Sequence, residues 1–171
     1  MRKDRKWRAG FLILVLMLIM ASVGQVRADE RSYTPEDAEI LAKTVWGEAR
    51  GCSSTQQAAV VWCILNRVDS SLFPNTIQKV VTQPYQFSGY SVGNPMDPDI
   101  LNLVNDVLSR WSIERSCIAE VGRVLPESYL YFAGNGMENC FTEHYAVGPI
   151  WDWSIESPYD NIAANFKAAD I

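Results

Sequence analysis

The stretch "SSTQQAAVVWCILNRV", Ser53 to Val68, decides the architecture. Ser53 or Ser54 can cap a helix with Gln56 or Gln57 three residues on, and apolar residues then fall on nearly every side from Ala58 to Leu65. A helix that is apolar all round is a central one. The fold is therefore expected to be arranged about this segment.

Working outward, "YTPEDAEILAKTVWGEARG" (33–51) carries its own punctuation. Thr34 can cap, Pro35 fits the first helical position, Asp37 stands where a capping-box acid would, and Gly51 offers a left-handed stop. On the other side, Phe73-Pro74-Asn75 breaks the chain and "NTIQKVVTQ" predicts a short helix. "PYQFSGYSVGNPM" then reads as a loop rich in Gly, Pro, Asn and Ser, with three aromatic residues, whose length and content suggest a functional role. A third long helix starts at Asp97-Pro98, with Ile100, Leu101, Val104, Val107, Leu108 and Trp111 at helical spacing. A shorter helix is expected over Arg115 to Val124, ending near Gly122. After Pro126, "SYLYFAGNGMENCFTEHYAVGPIWDW" predicts two or three short strands. Helices followed by a small antiparallel β region give an α+β domain, mainly helical.

The 171 residues suit one such domain. Residues 1–28 stand apart from it: Arg2, Lys3, Arg5, Lys6 and Arg8 precede the apolar run "FLILVLMLIMA", and Val26-Arg27-Ala28 offers small residues at a cleavage site. That is the pattern of a secretory signal peptide, and the run is short for a membrane span. The expectation is a signal peptide at 1–28, a mature domain at 29–171, a secreted protein, and contact with a membrane only if the leader stays uncleaved. Six of the fifteen Lys and Arg lie in the leader against one acid, which leaves the mature domain with nine basic and nineteen acidic residues. That balance argues against a nucleic-acid partner, which would need basic surface. A monomer is expected.

Cys52, Cys63, Cys117 and Cys140 form an even set, so disulfides are allowed in an exported chain, but the spacing fixes no pairing. A helix beginning near Ser54 makes Cys52 and Cys63 poor partners. There is no CxxC pair and His144 is the only histidine, so neither a zinc ribbon nor a multi-histidine site is expected. No phosphate-binding glycine loop is present, and no cofactor is anticipated.

One acid is conspicuous. On a helix, Glu48 falls about 20° from Leu41 and about 60° from Val45, while Lys43 and Arg50 point roughly 140° and 160° away. It sits on the apolar stripe and in the final turn, where the helix end is partially negative. Both conditions disfavour an ionised carboxylate, so a raised pKa and a proton-donating role are expected. The alternative is a structural acid at the stripe's edge, solvated or paired with a tertiary neighbour such as Arg67. Aromatic residues in the loop and strands could stack on sugar rings or belong to the core.

"TVWGEARG", "AAVVWCILNRV" and "FPNTIQKVVTQPYQFS", in that order and spacing, resemble the SleB-type cell wall hydrolases, the spore-cortex-lytic family. "YLYFAGNG" and "NCFTEHY" resemble its closing segment less closely. The resemblance covers about residues 36 to 146. It implies a lysozyme-like fold, with a helical half and a smaller β region flanking a glycan cleft, and it implies that Glu48 of "GEARG" is the catalytic acid. Peptidoglycan glycan strands are the implied partner, cleaved at the MurNAc–GlcNAc β-1,4 bond in cell wall or spore cortex. Two departures stand out: Cys140 replaces an expected aromatic residue, and Cys52 a common second acid. Together they suggest a disulfide near the cleft.

Glycoside hydrolysis ordinarily uses two carboxylates. Only Glu48 is well placed, since Glu143, Asp152 and Glu156 lie in the β region with no fixed relation to it. A single acid suffices for lytic transglycosylation, in which the sugar's 6-hydroxyl replaces water, and the resemblance favours that reaction. Gln83, Gln86, Ser88, Tyr131 and Asn139 are candidate glycan contacts. A muramidase using water, an amidase cutting the stem peptide and a non-catalytic wall-binding module are the alternatives. The amidase would normally need a zinc site, which this sequence does not suggest.

Overall fold

The structure, a computed structural model, describes residues 33–116, 120–134 and 137–159. The proposed leader, residues 1–28, and Cys117 lie outside the described residues. Four helices come first: α1 (Pro35–Ala49), α2 (Ser54–Asp69), α3 (Ile77–Val81) and α4 (Pro98–Arg115). A three-stranded antiparallel sheet follows, β1 (Tyr131–Gly134), β2 (Asn139–His144) and β3 (Val147–Ile150), in that spatial order. This is the α+β, mainly helical architecture expected from the sequence.

The helix starts follow from local chemistry. The Thr34 hydroxyl accepts from the Asp37 N–H, while the Asp37 carboxylate accepts from the Thr34 N–H at 2.9 Å, a reciprocal capping box. Ser53 caps α2 by accepting from the Gln56 N–H, Thr76 caps α3, and Asp97 accepts from the Asp99 and Ile100 N–H groups at the head of α4. Ala58 to Leu65 of α2 are all buried, as their pattern demands, and the burial continues through the polar Asn66 and Arg67. The helices α1, α3 and α4 and strand β1 all pack on it. Enclosing a side chain such as Val61, Ile64 or Leu65 contributes about 1.5–3 kcal/mol.

Three expectations need correction. Gly51 is not left-handed: α1 ends through Arg50 in right-handed geometry. The carbonyl of Ala49, its last residue, is met instead by the Cys52 N–H and by Gln57 Nε2, which also donates to the Cys52 carbonyl beyond the helix. A cap reaching back from the next helix removes the need for glycine's freedom. The helix expected over Arg115–Val124 is absent among the described residues 120–124. There Gly122 adopts φ 68°, the Val121 carbonyl accepts from Arg110, and Arg123 is drawn into a paired contact with Glu114. On α4, Leu103 is buried and Leu101 is only half-buried, so the buried face is turned slightly from the predicted one.

The sheet pairs Tyr131 with Thr142 and Gly134 with Asn139 along β1–β2, and Thr142 with Ile150 and His144 with Val147 along β2–β3, with an irregularity between Thr142 and His144. Phe141 is fully buried, and Phe132 stacks on it with ring centroids 5.6 Å apart. β3 is exposed along its whole length and contains Gly148 and Pro149. No helix among the described residues is long and apolar enough to cross a membrane.

Candidate active site

The last two turns of α1 present Gly47 and Glu48 beside the loop that follows α3. Two glycine backbones touch there. A Cβ placed on Gly47 would lie 1.9 Å from the Gly89 carbonyl oxygen, and one placed on Gly89 would lie 2.6 Å from the Gly47 carbonyl. No side chain fits between them, so residue 89 rides directly on the helix. Its N–H donates to Glu48 Oε1 at 2.7 Å. Asn94 secures the loop from its other end, with Nδ2 donating to the Lys43 carbonyl at 2.9 Å and to the Gly89 carbonyl at 2.8 Å.

Glu48 is half-buried while Leu41, Val45 and Ala49 are fully enclosed, so it lies at the edge of the apolar stripe. It lines a cavity of about 290 Å³ with Gly47, Arg50, Gly51 and Met137. Among the described residues no basic side chain pairs with it. Arg67, the structural partner that helical spacing left open, is engaged elsewhere: its Nε donates to the Leu130 carbonyl at 2.6 Å and its Nη1 to Gln86 Oε1 at 2.9 Å. The cavity lining contains no second carboxylate among the described residues. Glu143 is occupied by the Ser128 hydroxyl. With Oε1 held by the loop N–H, Oε2 is the oxygen left to carry or receive a proton.

The other candidate residues divide. Gln86 and Tyr131 meet around Arg67 and line a second cavity, of about 540 Å³, on the sheet side. Ser88 is exposed immediately before Gly89. Gln83 is half-buried, and its Oε1 is enclosed with no hydrogen-bond partner among the described residues. Asn139 is buried: its N–H donates to Gln56 Oε1 and its Nδ2 to Cys52 Sγ at 3.4 Å, which ties the start of β2 to the α1–α2 junction. The aromatic residues divide too, with Phe87 and Tyr129 in the core and Tyr85 and Tyr145 exposed.

The cysteines are arranged by strand alternation. Asn139 faces Cys52, so the next residue, Cys140, points to the opposite face of β2, where it is exposed and lines the sheet-side cavity. A bridge between Cys52 and Cys140 is therefore not made. Burial pushes the Cys52 thiol up from its ordinary pKa, and the Glu138 carboxylate adds to that. Cys63 is wholly buried on α2, and burial pushes its thiol up to about 12.

Sequence reasoning missed Gly47, Gly89 and Asn94, the residues that position Glu48. The only signal was the glycine- and asparagine-rich composition of the loop, and nothing in it indicated which glycine would touch which helix.

The small sheet packed on a buried helix, with a carboxylate anchored by a loop N–H at a helix end, is carried by a chain that belongs to the cell wall hydrolase family, whose model matches residues 51–142. That agrees with the SleB-type resemblance. Glu48 falls just before the matched span, while Arg67, Gln86, Gly89, Asn94 and Tyr131 lie within it. Among similar proteins, the spore cortex-lytic enzyme of Oceanobacillus iheyensis is 40% identical over 63 residues, covering 37% of this chain and 23% of that protein. The spore cortex-lytic enzyme of Bacillus subtilis is 39% identical over 61 residues, 36% of this chain and 20% of that protein. The corresponding Bacillus cereus enzyme is 41% identical over 61 residues, 36% of this chain and 24% of that protein. The matches thus span no more than about a quarter of these relatives. No solved structure matches the chain significantly.

Proposed function

We propose that this protein cleaves the glycan strand of peptidoglycan between N-acetylmuramic acid and N-acetylglucosamine, by lytic transglycosylation with Glu48 as acid and then base. The observation that carries the proposal is the state of Glu48: a half-buried carboxylate in a cavity, one oxygen anchored by the Gly89 N–H at 2.7 Å, with no basic partner among the described residues. A structural acid would be expected to have a cation or several donors.

The steps balance with one carboxyl group. The proton on Oε2 passes to the glycosidic oxygen, the bond from that oxygen to C1 of the muramic residue breaks, and N-acetylglucosamine leaves with a free 4-hydroxyl. Positive charge grows at C1, and the carboxylate left behind lies in a partly water-excluded site where its field is strong. The 6-hydroxyl of the same muramic residue then attacks C1 while Oε2 takes its proton. A 1,6-anhydro product results, the acid is regenerated and no water is consumed. The cavity lining holds no second carboxylate among the described residues, and this favours the route over ordinary hydrolysis, which usually uses two. A lysozyme-like arrangement, with glycan running between the helical part and the sheet past Ser88, Gln86 and Tyr131, accords with this reading. So does export directed by residues 1–28, with action in wall or cortex.

The test is digestion of purified peptidoglycan with wild type and Glu48→Gln, followed by mass analysis. Wild type is expected to release muropeptides lighter by one water than hydrolysis products. Glu48→Gln is expected to keep binding the polymer and lose turnover. Full activity in Glu48→Gln would refute the assignment, and reducing muramic ends would refute the transglycosylase route.

A further inference from the structure

Arg67 is 3% exposed, yet among the described residues no carboxylate pairs with it. Its compensation is partial. Phe73, Phe87 and Tyr131 place their rings 4.9, 5.1 and 5.5 Å from the guanidinium carbon, Nε is used by the Leu130 carbonyl, and Nη1 by the neutral amide of Gln86. Burial draws the guanidinium below the usual arginine range, although an arginine remains charged. The Cys63 thiol also contacts the guanidinium, but a buried cation held by dipoles, a thiol and ring faces is costly unless an anion reaches it. An entrance exists: Arg67 lines the 540 Å³ sheet-side cavity together with Gln86, Tyr131, Thr142 and Tyr145. Gln86 is exposed, so the amide covering Nη1 can be displaced without disturbing the core. Thr142 and the tyrosines add hydroxyls and ring faces suited to a sugar or peptide around the charge.

We propose that the Arg67–Gln86 cavity is a carboxylate-binding subsite, separate from the Glu48 cavity, that selects the anionic muramic side of the substrate. The inference rests on the glycan-cleaving reading. In that polymer the shared chemistry, a carboxylate, has two sources: the lactyl group of an unsubstituted muramic residue, or the stem peptide attached to it. Guanidinium nitrogens lining the pocket would bind either through charge-assisted hydrogen bonds.

The experiment uses the full chain carrying Glu48→Gln, so that nothing is turned over during titration. Three probes are compared by calorimetry: the GlcNAc–MurNAc disaccharide with a free lactyl carboxylate, its lactyl methyl ester, and the disaccharide bearing a stem peptide. The free acid or the peptide form is expected to bind roughly ten- to a hundredfold more tightly than the ester, the range for a charge-assisted contact. Whichever is preferred identifies the source. Arg67→Met would remove a buried group with structural ties, so the informative variant is Gln86→Glu. It sets a carboxylate where Gln86 Oε1 lies 2.9 Å from Nη1 and satisfies the cation internally. That variant is expected to gain thermal stability and to lose the preference for charged probes. Equal binding of all three probes by the protein with Gln86 intact, or an undiminished preference in Gln86→Glu, would overturn the inference. Failure of the two readings is distinguishable: a wild type that cleaves glycan without charge preference sinks the subsite alone, and one that prefers the acid but cleaves nothing sinks the enzyme reading alone.

Discussion

Replacing Gly47 by alanine tests the arrangement that positions Glu48. The added methyl would lie 1.9 Å from the Gly89 carbonyl oxygen and 2.3 Å from its carbon. Carbon and oxygen rest at about 3.3 Å, so the loop must retreat by roughly 1.4 Å. Both partners are backbone, and no rotamer change relieves the clash. The Gly89 N–H bond to Glu48, now 2.7 Å, would lengthen to about 4 Å, beyond hydrogen-bonding range. Losing a bond to a charged group costs about 1.5–3 kcal/mol, reduced here because Glu48 is half-exposed. Overpacking adds about 1–3 kcal/mol, and alanine's better helix propensity returns about 0.5–1 kcal/mol. A net loss of about 2–4 kcal/mol is expected in urea unfolding, together with at least a tenfold fall in peptidoglycan digestion measured in native conditions. Gly93→Ala is the control, since a Cβ there would meet only Ser91 Oγ at 3.7 Å, an ordinary contact. If Gly47→Ala unfolds and digests like Gly93→Ala, the close approach of helix and loop is not what holds the carboxylate.

Arg123→Met should destabilise the protein by about 3–5 kcal/mol in urea unfolding, because it leaves the partly buried Glu114 without its two 2.7 Å contacts and Asn66 Oδ1 without its donor. Asp106 sets an acid limit. Burial raises its pKa, but hydrogen bonds from Arg110 and Tyr159 outweigh that and hold it below the usual carboxylate range. Its contribution is therefore complete above the unfolded value, about pH 4, and is lost as pH falls through the lower folded value. Asp106→Asn should flatten the acid side of a melting-temperature profile between about pH 5 and 2. Iodoacetamide at pH 8 should modify Cys140 quickly and leave Cys63 untouched until unfolding, as peptide mass mapping would show, because Cys140 is exposed and Cys63 has a buried thiol pushed up to about 12.

What could be read from the sequence was what is decided within a turn or two of the chain. Thr34 with Asp37, Ser53 and Asp97 fix helix starts through bonds spanning at most three residues. The central place of α2 followed from its uniform apolarity. The errors came where distant groups intervened. Gln57 closes the end of α1 that Gly51 was expected to close, and Glu114 draws Arg123 out of the anticipated helix. Glu48 could be found from its angle on α1, but its partner Gly89 is 41 residues away in a loop whose sequence carries no period. The sequence marks Arg67 as no more than a support for the helix pair or a partner for Glu48. Its enclosure by Phe73, Phe87 and Tyr131 joins three segments that only folding brings together.

The outer strand bears on how the protein behaves at high concentration. β3 is a short exposed edge, and Val147 and Ile150 would invite pairing with another chain if its ladder were regular. Pro149 has no N–H to offer a newcomer, and Gly148, at φ 123°, takes the backbone out of the extended conformation that a continuing sheet requires. Replacing both by ordinary strand residues would give the edge a continuous row of donors and acceptors. Self-association through this edge would then become a hazard.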